Sequence, residues 1–144
     1  MAALSGTNVV GNLWKVGEEY TALGVYTLVG AITNADTITW DNILPEGTKT
    51  ITGFRFYGVE LDTNASPTLA AVIGDELDAD GFAVSFTAGG ANAQFSILGT
   101  GAYLNNTTAT TTGRDVILTT SGTLGTAASS GTVFVSVTYV CGAV

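Results

Sequence analysis

The chain has 144 residues, no histidine, one cysteine and 46% hydrophobic residues, which excludes a Ser-His-Asp triad, a Cys-His pair and a histidine or thiolate zinc site. Its four cations, Lys15, Lys49, Arg55 and Arg114, stand against twelve acids for a formal charge of −8. No basic cluster exists to release counterions from a nucleic-acid backbone, so nucleic acid is not an expected partner.

Charged residues make up 11% of the chain, against about 25% in ordinary soluble domains. Thr, Ser, Asn and 19 glycines take their place, and a surface of hydroxyls and amides is desolvated at far lower cost than one of unpaired ions. The chain is thus suited to burial in an assembly. At this length one domain with a sizeable core is expected without disulfides or metals.

Residues 1–19 read as a segment distinct from a β-sandwich domain over residues 20–144. Met1 to Asn8 has neither a basic nor an apolar signal region, so no signal peptide is expected. From Asn8 to Tyr20 the apolar residues follow no firm period. Two readings stand level: an edge strand with a loose start, or an extended arm docking on a neighbouring subunit through Val9, Val10, Leu13 and Trp14.

Period-2 alternation and β-branched residues then predict strands at Leu23–Thr33, Asp36–Trp40 and Thr48–Leu61. Trp40 reads most simply as a core or rim residue. In Thr48–Leu61, Ile51, Tyr57, Val59 and Leu61 fall on one parity, Phe54 and Phe56 on the other. Pro45-Glu-Gly47 suits a turn, and Asp62 to Pro67 separates that strand from the next, Thr68–Ile73.

The acidic run Asp75-Glu-Leu-Asp-Ala-Asp-Gly81 places Glu76, Asp78, Asp80 and Gly81 like the first positions of an EF-hand loop. Thr87 stands where that loop needs its bidentate glutamate. A solvated hairpin tip, whose repelling carboxylates resist edge aggregation, is the favoured reading over a calcium site. Phe82–Thr87 predicts a strand and Ala91–Leu98 a brief helix. Gly99-Thr-Gly101 and Gly122–Gly131 are loop-like, and Arg114–Thr119 is a strand.

The clearest strand is Thr132–Val140. Val133, Val135, Val137 and Tyr139 share one face; Thr132, Ser136 and Thr138 share the other, interrupted by Phe134. The fold expected is all-β: an antiparallel sandwich or jelly-roll-like barrel with an N-terminal arm.

No stretch reaches the roughly 20 apolar residues of a membrane helix, so no membrane partner is expected. The lone Cys141 fits a reducing compartment. Paired carboxylates with Trp14, Trp40, Tyr57 and Tyr103 as platforms could in principle serve sugar cleavage. Aromatics in a small β-domain are far more often core, and an enzyme is not expected.

The order of segments is more informative than any single motif. It runs Asp36-Thr-Ile-Thr, Ile43-Leu-Pro-Glu-Gly47, Ile51-Thr-Gly-Phe-Arg-Phe, Leu61-Asp-Thr-Asn-Ala-Ser-Pro-Thr-Leu69, Val72-Ile-Gly-Asp75, Asp78-Ala-Asp-Gly-Phe82 and Gly131-Thr-Val-Phe-Val-Ser-Val-Thr-Tyr139. This resembles the small β-sandwich decoration, or cement, proteins of tailed bacteriophage capsids, over roughly residues 20–140. The segment around Trp14 is less typical of them.

The resemblance implies a structural protein made in the host cytoplasm and resident on the capsid exterior of the virion. There it would bind the major capsid protein and bridge adjacent capsomers, as a homotrimer. It implies no catalytic residue and no cofactor. Two alternatives remain: a head-fibre or adhesin-like module binding host-surface glycan through Trp40, Tyr57 or Tyr103, and a cell-encoded surface-layer or matrix domain dependent on calcium.

Overall fold

The structure is a computed structural model that describes residues 3–9, 18–45, 47–89, 94–104, 107–110 and 114–141. Those residues form ten strands and no helix. In chain order these are β1 (Ala3–Val9), β2 (Glu19–Thr27), β3 (Thr37–Leu44), β4 (Gly47–Val59), β5 (Ala70–Gly74), β6 (Ala83–Thr87), β7 (Gln94–Leu98), β8 (Thr107–Thr110), β9 (Arg114–Ser121) and β10 (Thr132–Cys141). The all-β expectation holds. The brief helix expected at Ala91–Leu98 does not: Gln94–Leu98 is β7, paired antiparallel with β4. Its Phe95 and Ile97 are β formers, and pairing with a neighbouring strand overrides a weak local helical preference.

Two sheets face each other. One runs β6-β5-β9-β3 and the other β2-β10-β4-β7, with β8 also on β4. Strand β1 joins them. Ala3 to Gly6 pairs in parallel with β3, and Thr7 to Val9 pairs antiparallel with β2. That parallel pair is the one departure from antiparallel pairing among the described strands.

Alternation determines which side chains go inside. On β10, Val133, Val135, Val137 and Tyr139 are all buried, as the sequence pattern requires. The mixed parity of β4 has a physical cause. Thr138 pairs with Gly53 but Tyr139 pairs with Ile51, so Thr52 is an extra residue, a β-bulge. The bulge shifts the alternation by one, so that Ile51, Phe54 and Phe56 all face the core. Opposite them stand Ile38, Trp40, Ala71, Ile73, Val116 and Leu118 of the other sheet. Each fully buried Val, Leu, Ile or Phe contributes about 1.5–3 kcal/mol over its exposed state. Aromatic pairs tie the layers together: Phe54 stacks on Phe82 with centroids 5.2 Å apart, and Phe56 meets Phe86 at 5.9 Å.

Trp40 fills the seam where β1 crosses between sheets. It is fully buried, and the backbones of Gly6 and Gly24 lie directly against its ring. A Cβ on Gly24 would sit 2.5 Å from Trp40 Cδ1 and 2.7 Å from Val135 Cγ2, so only glycine fits.

Candidate functional site

Two polar clusters and two outer sheet faces have the chemistry to act. The first cluster is centred on Asp62, wholly buried just after β4. Its Oδ1 accepts from the N–H groups of Asn64 (3.2 Å) and Thr126 (2.9 Å). Its Oδ2 accepts from Thr68 (3.0 Å), Leu69 (3.1 Å) and Gly125 (3.0 Å). Burial alone would raise its pKa, but these donors outweigh burial and hold the carboxyl well below the usual carboxylate range. Asp62 thereby fastens the β4–β5 loop to the β9–β10 loop.

The second cluster lies between the sheets at one end. Arg114 Nε is 2.9 Å from Asp75 Oδ2, with both side chains almost wholly buried. Asp75 Oδ1 also accepts from the Tyr103 hydroxyl (2.7 Å) and from the N–H groups of Leu77 (2.9 Å) and Asp78 (3.0 Å). The Arg114 guanidinium lies 5.0 Å from the centre of the Tyr103 ring. Burial, then the bond to Asp75, pushes the Tyr103 phenol above its ordinary range.

Lys49 is fully buried nearby and donates to Gly47 O at 3.1 Å. Burial, then repulsion from Arg114, lowers its pKa to about 8. Burial pushes the Cys141 thiol up, with Lys49 opposing.

The expectation of a solvated acidic tip therefore needs correction at Asp75, which is buried and paired, while Glu76 and Leu77 of the same loop are exposed. No group of three or more His, Cys, Asp or Glu side chains suited to a metal occurs among the described residues.

The outer faces differ in kind. That of β3 and β9 presents Thr37, Thr39, Thr119 and Ile117 beside Asp41 and Asp115. That of β2, β10 and β4 presents Leu23, Val25, Phe134 and Tyr57, all half-buried yet outside the core, with exposed Arg55 and Leu98 at the β7 side. Tyr57 and Phe134 stack with centroids 5.0 Å apart and planes 14° off parallel. The Arg55 guanidinium lies 4.7 Å from the Tyr57 ring centre, and its Nε–H donates to Ser96 Oγ at 2.7 Å.

Of the residues expected to make contacts, Val9 ends β1, opposite Leu23. Val10, Leu13 and Trp14 lie outside the described residues. Ala3–Val9, within the expected arm, supplies the strand shared by both sheets. Of the aromatics considered for glycan, Trp40 is buried and the Tyr103 hydroxyl is committed to Asp75, so Tyr57 alone faces outward. The pairing of Arg55 with Tyr57 and Phe134 was not anticipated. Its signal was Phe134, the aromatic breaking an otherwise polar face of β10.

No family model matches the sequence, and no curated protein matches it. Solved structures do. The chain is similar to one in the cyanophage Pam1 capsid asymmetric unit, at 29% identity over 93% of this chain and 92% of that one, with a TM-score of 0.74. It is also similar to a chain in the capsid of Ralstonia phage GP4, at 17% identity over 94% and 92%, with a TM-score of 0.71. A third, in the acid-stable capsid of Helicobacter pylori bacteriophage KHP30, has 13% identity over 88% and 90%, with a TM-score of 0.53. The last two matches establish the shared fold. The chain thus has the fold of β-sandwich proteins found in phage capsids, across nearly its whole length.

Proposed function

We propose that the chain is a non-enzymatic structural protein of a phage virion, which binds the outside of the capsid and bridges adjacent capsomers. The observation that carries this is the match to the Pam1 capsid chain, which spans almost the full length of both proteins. The surface supports it too. With 11% charged residues and Thr-rich outer strands, little desolvation opposes burial against a shell. Many copies on a lattice stabilise a shell by mass action even where each interface is modest. The major capsid protein is the partner proposed, and a trimer the proposed oligomer.

The contacts proposed for the N-terminal segment are Val9, Val10, Leu13 and Trp14. Removing residues 1–19 would also remove β1 from both sheets, so the sound test is substitution. A Leu13→Ala/Trp14→Ala variant should stay folded by circular dichroism and co-sediment more weakly with cognate empty heads. Undiminished binding would remove these contacts from the proposal. Absence of binding by the wild-type chain to those heads would overturn the function itself.

A further inference from the structure

We propose that the outer face of the β2-β10-β4-β7 sheet is the docking face, and that Arg55 is its anchor. It would grip a carboxylate of the shell protein, while Tyr57, Phe134 and Leu98 cover apolar side chains beside it. This rests on the capsid-binding function proposed above.

Arg55 occupies a central register position, opposite Ser136 on one side and Leu98 on the other. Its guanidinium is held twice, by Ser96 Oγ at Nε and by the face of Tyr57, which is itself stacked on Phe134. The Nη1 and Nη2 groups make no hydrogen bond to the described residues, and the side chain is exposed. A planar fork so oriented matches both oxygens of a carboxylate, and most of the side-chain ordering that binding requires has already happened. Arg and Tyr packed together on an apolar patch are also the residue types that dominate measured interface energies.

Charge identifies the occupant. Lys49 and Arg114 are buried, so among the described residues Arg55 is the one exposed cationic side chain on a chain of formal charge −8. A cation fixed in place on an acidic chain selects an acid at that point. A second copy of the chain is the poorer fit. Two acidic molecules repel, and a two-fold pairing through this face would set Arg55 near its own counterpart. The opposite outer face carries threonines with Asp41 and Asp115, and among the described residues it has neither an aromatic pair nor a cation.

The test is co-sedimentation of the chain with cognate empty heads, using Arg55→Glu, Arg55→Ala, Arg55→Lys and, on the other face, Thr39→Glu. Thermal melts of each variant establish that it is folded. Arg55→Glu should weaken binding about a hundred-fold and Arg55→Ala about ten-fold or more. Arg55→Lys should fall between Arg55→Ala and wild type, because an ammonium keeps the charge but loses the fork. Thr39→Glu lowers the net charge by one, as Arg55→Ala does, but on the other face, and should bind like wild type. Wild-type binding matched by folded Arg55→Glu or Arg55→Ala would overturn the docking face and leave the function standing. Failure of wild type to bind would overturn both. Dimerisation through this face without heads, abolished by Arg55→Glu in sedimentation velocity, would identify a second copy as the occupant and also overturn the proposal.

Discussion

Asp62→Asn is the substitution with the most computable outcome. The carboxylate receives five backbone N–H donors, two on Oδ1 and three on Oδ2. An asparagine amide keeps one acceptor oxygen, so whichever way it turns, at least two donors face an NH2 group. A buried donor left without its acceptor costs about 1–3 kcal/mol. The variant should therefore be about 2–4 kcal/mol less stable at neutral pH, read by urea denaturation.

The pH dependence is the sharper test. The pKa of Asp62 is depressed in the folded state, so its contribution is complete above the unfolded value of about 3.9 and declines as pH falls below it. In that window the unfolded chain binds a proton that the native chain does not. The stability gap between wild type and variant should close by about 1.4 kcal/mol per pH unit, or about 2 kcal/mol between pH 4 and pH 2.5. A gap that persists unchanged to pH 2.5, or a loss below about 0.5 kcal/mol at pH 7, would show that these bonds do not hold the two loops.

Three further outcomes follow from the buried charges and the seam. Arg114→Met strands Asp75 without its cation and should cost about 3–5 kcal/mol in chemical denaturation, with much of the loss recovered by adding Asp75→Leu. Lys49 has a folded pKa of about 8, below its unfolded value of about 10.4, so its burial penalty is greatest below pH 8 and fades as pH rises. Wild type should therefore gain about 2 kcal/mol on Lys49→Met between pH 8 and pH 10, and parallel pH profiles would contradict this. Gly24→Ala forces a methyl into Trp40 and Val135 and should lower stability by about 1–3 kcal/mol; a thermal midpoint equal to wild type would show that the seam is looser than described.

Much of the fold was legible because alternation records burial directly. β10 announced its inner face in Val133, Val135, Val137 and Tyr139, and β9 and β3 were placed within a few residues. The strands missed were those whose pairing comes from elsewhere. β7 has five residues and β8 four, too short for a period to register, and β1 owes its pairing to two different neighbours. The mixed parity of β4 was visible in the sequence, but its cause, the bulge at Thr52, appears only in the register with β10.

The burial of Asp75 is hidden from the sequence for a related reason. It opens an acidic run that looks wholly solvated, and its counter-ion Arg114 arrives from a distant strand. Local composition carries no trace of such a partner. The aromatic pair on the outer face was half legible: Phe134 broke the polar alternation, while Tyr57 and Arg55 meet it only across the ladder.

The position of β10 bears on how the polypeptide is made. It lies in the middle of its sheet, bonded to β2 on one edge and β4 on the other. Until Thr132–Cys141 has left the ribosome, both neighbours present bare edges, and Ala22, Phe54 and Phe56 lack their cover. Most pairings join segments far apart in sequence, so folding should be a slow, late event on a millisecond-to-second scale. Polypeptides broken off before β10 would expose sticky ladder edges. Quality control is thus built into synthesis: only a chain translated through β10 can close this sheet.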